Sequence, residues 1–138
     1  MHFHLRWELI IMAVFKLLKT FGILGGAAVA FWIRRMVQKR LQKRAMEGWP
    51  ATDATIQWGK VHSESGRYWA EVTYSYFVGE YRSGQYVRGF RREEEAEEFI
   101  RQLKDKRTRV HYKEADPNKA VILDRDIELI VLLEPQLR

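Results

Sequence analysis

Thr20–Ile33 is a stretch of 14 residues without a charged side chain, and it runs directly into residues 34–44, which carry six basic side chains and no acidic one. An apolar run abutting a basic run is how a membrane helix leaves the bilayer on its cytoplasmic side. Fourteen residues give about 21 Å of helix, short of the roughly 30 Å hydrocarbon core. Extension through Leu17 and Leu18 at one end and Met36 and Val37 at the other gives about 21 residues, enough to span. Lys19, Arg34 and Arg35 then sit near the ends, where long side chains reach the headgroups, and Trp32 suits an interfacial belt.

The apolar stretch Leu9–Phe15 allows two arrangements. It lies along the opposite surface as an amphipathic lead-in, or one tilted helix runs from Leu9 to Ile33 with Lys16 and Lys19 on one face. Ala28-Val29-Ala30 has the form of a signal-peptide cleavage site, but Lys16 and Lys19 interrupt the apolar region before it and Phe31-Trp32-Ile33 continues it. Gly22, Gly26 and Ala30 form a stripe of small residues at which a second helix, from another membrane protein or another copy, can approach closely. The charge asymmetry places residues 34–138 in the cytoplasm and the N-terminus outside the cell membrane. Arg34, Arg35, Lys39, Arg40, Lys43 and Arg44 form a basic collar for anionic lipid headgroups.

The net charge of +6 belongs to this collar. Residues 45–138 hold 15 basic and 17 acidic side chains, so the remainder is slightly acidic and nucleic acid is not an expected partner. Cysteine is absent, which removes disulfides, thiolate nucleophiles and zinc-finger sites.

The chain divides into residues 1–47 (lead-in, span and basic juxtamembrane helix) and residues 48–138, with Gly48-Trp49-Pro50 stopping the helix. Beyond Pro50 the period changes to two. Thr55–His62 reads as a strand with Gly59 as a bulge, and Tyr68–Val78 as the clearest strand. Gly79-Glu80 makes a two-residue turn into Tyr81–Val87. Residues 92–104 form a helix, with Glu93, Glu94 and Glu95 in its first turn and Arg101 and Lys104 in its last. Thr108–Tyr112 and Ala120–Leu123 are further strands around a turn at Asp116-Pro117-Asn118, and Ile127–Leu133 is an added strand or a packed helix. The expected fold is α+β: a single transmembrane helix, then a mainly antiparallel curled sheet or open barrel of five to six strands with one covering helix.

Three segments carry a resemblance. They are Trp49-Pro50-Ala51-Thr52-Asp53-Ala54-Thr55-Ile56, then Val72-Thr73-Tyr74-Ser75-Tyr76-Phe77-Val78-Gly79-Glu80-Tyr81, then Val110-His111-Tyr112 followed by Asp116-Pro117-Asn118-Lys119-Ala120-Val121-Ile122-Leu123. In this order they resemble a family of bacterial membrane-anchored proteins whose shared domain has no assigned function. The resemblance implies a β-rich module on one or more membrane helices and no catalytic residues. Many such relatives continue into a second span, whereas this sequence ends in Ile127–Arg138. Their usual Tyr-x-Pro is here Tyr112-Lys113-Glu114.

No catalytic constellation emerges. His2 and His4 read as a mobile terminus, His62 with Ser63, Glu64 and Ser65 as a solvated hairpin loop, and His111 as an exposed strand residue. The Glu93–Glu98 cluster reads as a solvated face, and the glycines lack nucleotide-binding spacing. No cofactor or metal is expected. Aromatics concentrate on one hairpin, where alternation puts Tyr74 and Tyr76 on one face and Trp69 and Phe77 on the other; the second pair is a protein-docking surface unless the chain itself covers it. The expected role is non-enzymatic, an accessory or scaffold subunit of a membrane complex. A ligand-sensing module is the alternative, and a membrane-associated enzyme the third reading.

Overall fold

The computed structural model describes residues 10–13, 16, 26–64 and 66–133. Helix α1 (Gly26–Met46) leads into β1 (Ala51–Glu64), β2 (Arg67–Val78) and β3 (Glu80–Phe90). Helix α2 (Glu93–Leu103), β4 (Arg107–Lys113), β5 (Asp116–Val121) and helix α3 (Asp124–Leu133) complete the order. The five strands make one antiparallel sheet in the order β3-β2-β1-β4-β5. It curls until its two edges, β3 and β5, come into contact, leaving a nearly closed barrel.

The period-2 pattern sets the interior. Ala70, Val72, Tyr74 and Tyr76 of β2 point inward with Ile56, Val110 and Ile122, and Phe99 and Leu103 of α2 cover them. The tyrosines also carry their hydroxyls across the interior. Tyr74 donates to the Ala120 carbonyl at 3.4 Å and Tyr76 to the Pro117 carbonyl at 2.6 Å, so β2 is tied to β5 through the core. Burial pushes the Tyr74 hydroxyl well above its ordinary pKa, because a phenolate there would lose its water.

Five strands form, and the helices differ from expectation. Three helices cover the sheet, not one, because α1 and α3 pack on it as well as α2. Ile127–Leu133 is helical, with Ile127 fully buried. Asp116-Pro117-Asn118 is not the turn; it opens β5, and the reversal falls at Glu114-Ala115. The bulge in β1 lies between Ile56 and Trp58 instead of at Gly59. The chain reverses about Gly79, with φ of 72° and Val78 opposite Glu80, so Glu80 already belongs to β3. His62 lies in β1, not in a loop. Among the described residues no helix is long and apolar enough to cross a membrane. Of the expected span, residues 17–25 lie outside the described residues, as do Trp7, His2 and His4; residues 26–37 form the first part of α1, where Phe31 and Arg35 pack against the domain.

Gly84 faces Tyr74 across the β2–β3 pair, and a Cβ there would collide with the Tyr74 ring. We therefore expect Gly84→Ala to cost about 1–3 kcal/mol, the range for overpacking a core. The neighbouring exposed Ser83→Ala should stay within about 0.5 kcal/mol. Equal urea midpoints for the two variants would refute this account of the Tyr74 site.

Candidate functional site

Helix α1 has two faces at helical spacing. Phe31, Arg35, Gln38, Gln42 and Ala45 turn to the domain, while Val29, Ile33, Met36, Arg40, Lys43 and Arg44 are exposed on the other side. The inward face fits against the seam of the barrel. Gln38, 6% exposed, accepts from the Val87 N–H at 3.1 Å and donates to the Val87 carbonyl at 3.4 Å. Its amide thus occupies the place of a pairing strand on the β3 edge. One turn on, the Gln42 carbonyl oxygen accepts from the Asp124 N–H at 3.0 Å, satisfying a donor at the start of α3. Ala45 packs with Val121 and Leu123, and Leu41 and Trp49 lie against them.

A charged network joins the same three elements. Arg35 makes a two-pronged contact with Asp124, at 3.1 and 3.2 Å, and donates to the Val87 carbonyl at 3.2 Å. The Tyr86 hydroxyl donates to the same carboxylate, and Arg88 lies 3.7 Å from it and 3.4 Å from Glu128. The Tyr86 ring has Arg35 at 5.7 Å and Arg88 at 5.6 Å from its centroid. Burial, opposed by Arg88, pushes the Tyr86 hydroxyl up to about 12. Burial also pushes the Asp124 carboxyl upward, but its contacts with Tyr86, Gln42 and Arg35 outweigh that and hold it below the ordinary carboxylate value.

A second anchor lies under the first turns of the described helix. Phe31 stacks on Trp69 with ring centroids 5.9 Å apart and meets His62 at 4.6 Å. Beside them Glu71, its side chain 5% exposed, lies 3.0 Å from His62 Nε2 and 3.4 Å from Arg34. A carboxylate this buried requires its cation, because desolvation without a partner costs several kcal/mol.

The expected site residues therefore separate. Arg34 and Arg35 are bound to the domain's own carboxylates and are not free lipid ligands. Lys39, Arg40, Lys43 and Arg44 are exposed, with no ion pair among the described residues. Gly26 and exposed Ala30 belong to α1, while Gly22 lies outside the described residues. Trp69 is 4% exposed beneath Phe31 and offers no docking surface, because α1 covers the sheet face it lies on. Phe77 is 56% exposed, edge-on to Tyr81 at 5.2 Å, and Tyr81 is 83% exposed. Exposed Trp58 lies on the same sheet face.

Sequence reasoning missed Gln38, Gln42, Phe31, Glu71, Tyr86, Arg88 and Asp124. One signal was present: Gln38 and Gln42, spaced i, i+4, are the uncharged polar positions in an otherwise basic run. His111 is half-buried, not exposed, and lies 3.8 Å from Asp126 of α3. Two histidine–carboxylate pairs thus exist, His62–Glu71 and His111–Asp126. Neither lines the open cleft beside α1, and the described residues hold no group of three or more metal-ligating side chains.

That cleft, of about 490 Å³, lies between α1, the adjoining ends of β2 and β3, and α3. Its walls carry Arg35, Lys39, Arg67 and Arg88 against Asp124 and Glu128, with Trp32 and Trp69 beside them. A more apolar cleft of about 390 Å³ lies between α2 and α3, against Phe90, Phe99 and Val131 under a rim of glutamates. No family model, curated protein or solved structure matches the chain.

Removal of the Gln38 amide leaves the buried Val87 N–H without a partner, so Gln38→Ala should lower stability by about 1–3 kcal/mol. A denaturation midpoint equal to wild type would exclude the amide as the seal. Asp124 gives a pH signature. Its folded pKa is depressed, so its contribution is fully present above the unfolded value of about 4 and is lost as pH falls through the folded value. Asp124→Asn should therefore melt below wild type at pH 7, and the gap should narrow below about pH 4. A gap that stays constant down to pH 3 would show that the carboxylate charge is not what matters.

Proposed function

We propose that the protein is a membrane-anchored, non-enzymatic interaction module, an accessory or scaffold subunit of a membrane complex, with its barrel-like domain on the cytoplasmic side. The observation that carries this reading is the outer ridge of α1. Val29, Ile33 and Met36 lie exposed along its first turns, and Arg40, Lys43 and Arg44 continue the same ridge. Apolar followed by basic, on a helix whose other face is packed, is the profile of an element passing from acyl chains to headgroups. In this arrangement the span precedes or overlaps the start of α1, and Gly22, Gly26 and Ala30 are available for helix pairing. The resemblance to bacterial membrane-anchored modules supports the same reading.

The protein partner would meet the tip of the β2–β3 hairpin, where Phe77 and Tyr81 are exposed side by side. One observation favours a second reading, a ligand-binding module: the apolar cleft between α2 and α3 is large enough for a small molecule.

The chain has no cysteine, so single-cysteine variants report cleanly. A cysteine in place of Asn118 should react with a membrane-impermeant maleimide only after the cells are opened. Labelling in intact cells would overturn the orientation. Phe77→Ala with Tyr81→Ala should remove chains that co-purify in mild detergent, with the circular dichroism spectrum unchanged. A wild-type protein that emerges alone and monomeric would sink the subunit reading.

A further inference from the structure

We propose that the cleft between α1, β2, β3 and α3 binds the phosphate of an anionic lipid headgroup, with Lys39 and Arg67 as its principal ligands. The proposal rests on the membrane-anchored reading above and narrows it from a basic surface to one site. Four basic and two acidic side chains line the cleft. The two acids are already engaged: Asp124 by Arg35 and Arg88, and Glu128 by Arg88. Lys39 and Arg67 face the same space with no carboxylate partner among the described residues. Two unneutralised cations converging on one concavity repel each other and raise the local concentration of anions.

The two ligands suit a phosphate. Arg67 begins β2, and its guanidinium lies 5.2 Å from the centroid of the buried Trp69 ring, so its fork is held in place. A guanidinium offers paired donors to two phosphate oxygens, and an ammonium supplies a compact point charge to a third. Arg35 and Arg88 sit behind them as fixed positive groups, each with its own counter-charge.

The surroundings favour a lipid as the source. Trp32, 56% exposed, stands at the cleft rim, one residue before Ile33 on the outer ridge. A rim tryptophan beside exposed Val29, Ile33 and Met36 offers an apolar path for acyl chains next to the site for the phosphate. Arg67 lies outside the basic run, so only the fold brings it to Lys39.

The test uses the full chain in neutral detergent micelles, with tryptophan fluorescence followed during titration by short-chain phosphatidic acid, phosphatidylcholine of the same chain length, and sodium phosphate. Phosphatidic acid should bind and phosphatidylcholine should not. Lys39→Gln and Arg67→Gln should each weaken binding about fivefold, following roughly 1 kcal/mol per basic residue near a charged surface. Lys43→Gln and Arg44→Gln, on the outer ridge and outside the cleft, should each weaken it by less than about twofold, the smaller effect of a diffuse surface charge. Equal losses at all four positions would reduce the site to a diffuse collar and overturn the proposal, as would absence of wild-type binding. Sodium phosphate binding as tightly as phosphatidic acid would overturn the lipid source and assign the cleft to a free anion. Flotation on neutral phosphatidylcholine vesicles separates the two readings. A chain that floats yet ignores phosphatidic acid refutes the cleft alone, whereas a chain that does not float refutes the anchor.

Discussion

The barrel depends on how its seam is closed. A curled five-stranded sheet has two edges, each a row of unpaired backbone donors and acceptors that invites another strand. Here β3 and β5 approach but do not pair, and α1 lies along the gap. Gln38 supplies an amide to the β3 edge, Gln42 meets the start of α3, and Ala45 packs against Val121 and Leu123 beyond β5. Side chains spaced at i, i+4 and i+7 on one helix therefore serve three parts of the seam. The helix that carries the basic collar is also the last wall of the fold.

The interior reinforces that closure from the other side. Tyr74 and Tyr76 reach from β2 to carbonyls of β5, and Tyr86 reaches from β3 to Asp124 at the head of α3. Each ring supplies apolar area while its hydroxyl finds a partner, as a buried tyrosine must. Two of the contacts join β2 to the far edge strand β5 and the third joins the edge strand β3 to α3, so opening the seam would break them together. Arg35, which bonds both the Val87 carbonyl and Asp124, couples this set to α1.

Much of the domain was legible because local signals agreed with tertiary ones. Tyr68–Val78 alternates cleanly, and α2 carries its acids at the start and Arg101 at the end, so their positions follow from period and dipole. Ile127–Leu133 was ambiguous because a continuous apolar run has no period to read; only its packing on α2 and β4 makes it a helix. Asp116-Pro117-Asn118 has turn composition, yet Pro117 is tolerated because β5 is an edge strand. The candidate site was less legible for a different reason. Arg34 and Arg35 read as headgroup ligands in a basic collar, Gln38 and Gln42 carry no local signal beyond their spacing, and the partners of all four lie tens of residues away. Pairings such as Arg35–Asp124 are a property of the closed barrel, which no local pattern encodes.

The same pairings change what the basic segment can be. A flexible tether would leave the domain free to tumble about its helix, and its composition would be rich in glycine, serine or proline. Here the backbone N–H of Trp49 still bonds to the Ala45 carbonyl, and β1 begins at Ala51, so little free chain separates helix from sheet. Phe31 stacks on Trp69 one turn before the Arg35–Asp124 contact. Detachment of α1 would thus expose the Glu71 carboxylate, the Val87 edge and the apolar seam at once. In the membrane-anchored arrangement proposed above, the barrel would be held against the headgroups at a height set by the helix, and the Phe77–Tyr81 tip would keep a fixed direction. A partner at that tip would have to present its own surface at matching height, which favours another membrane-held chain over a freely diffusing one.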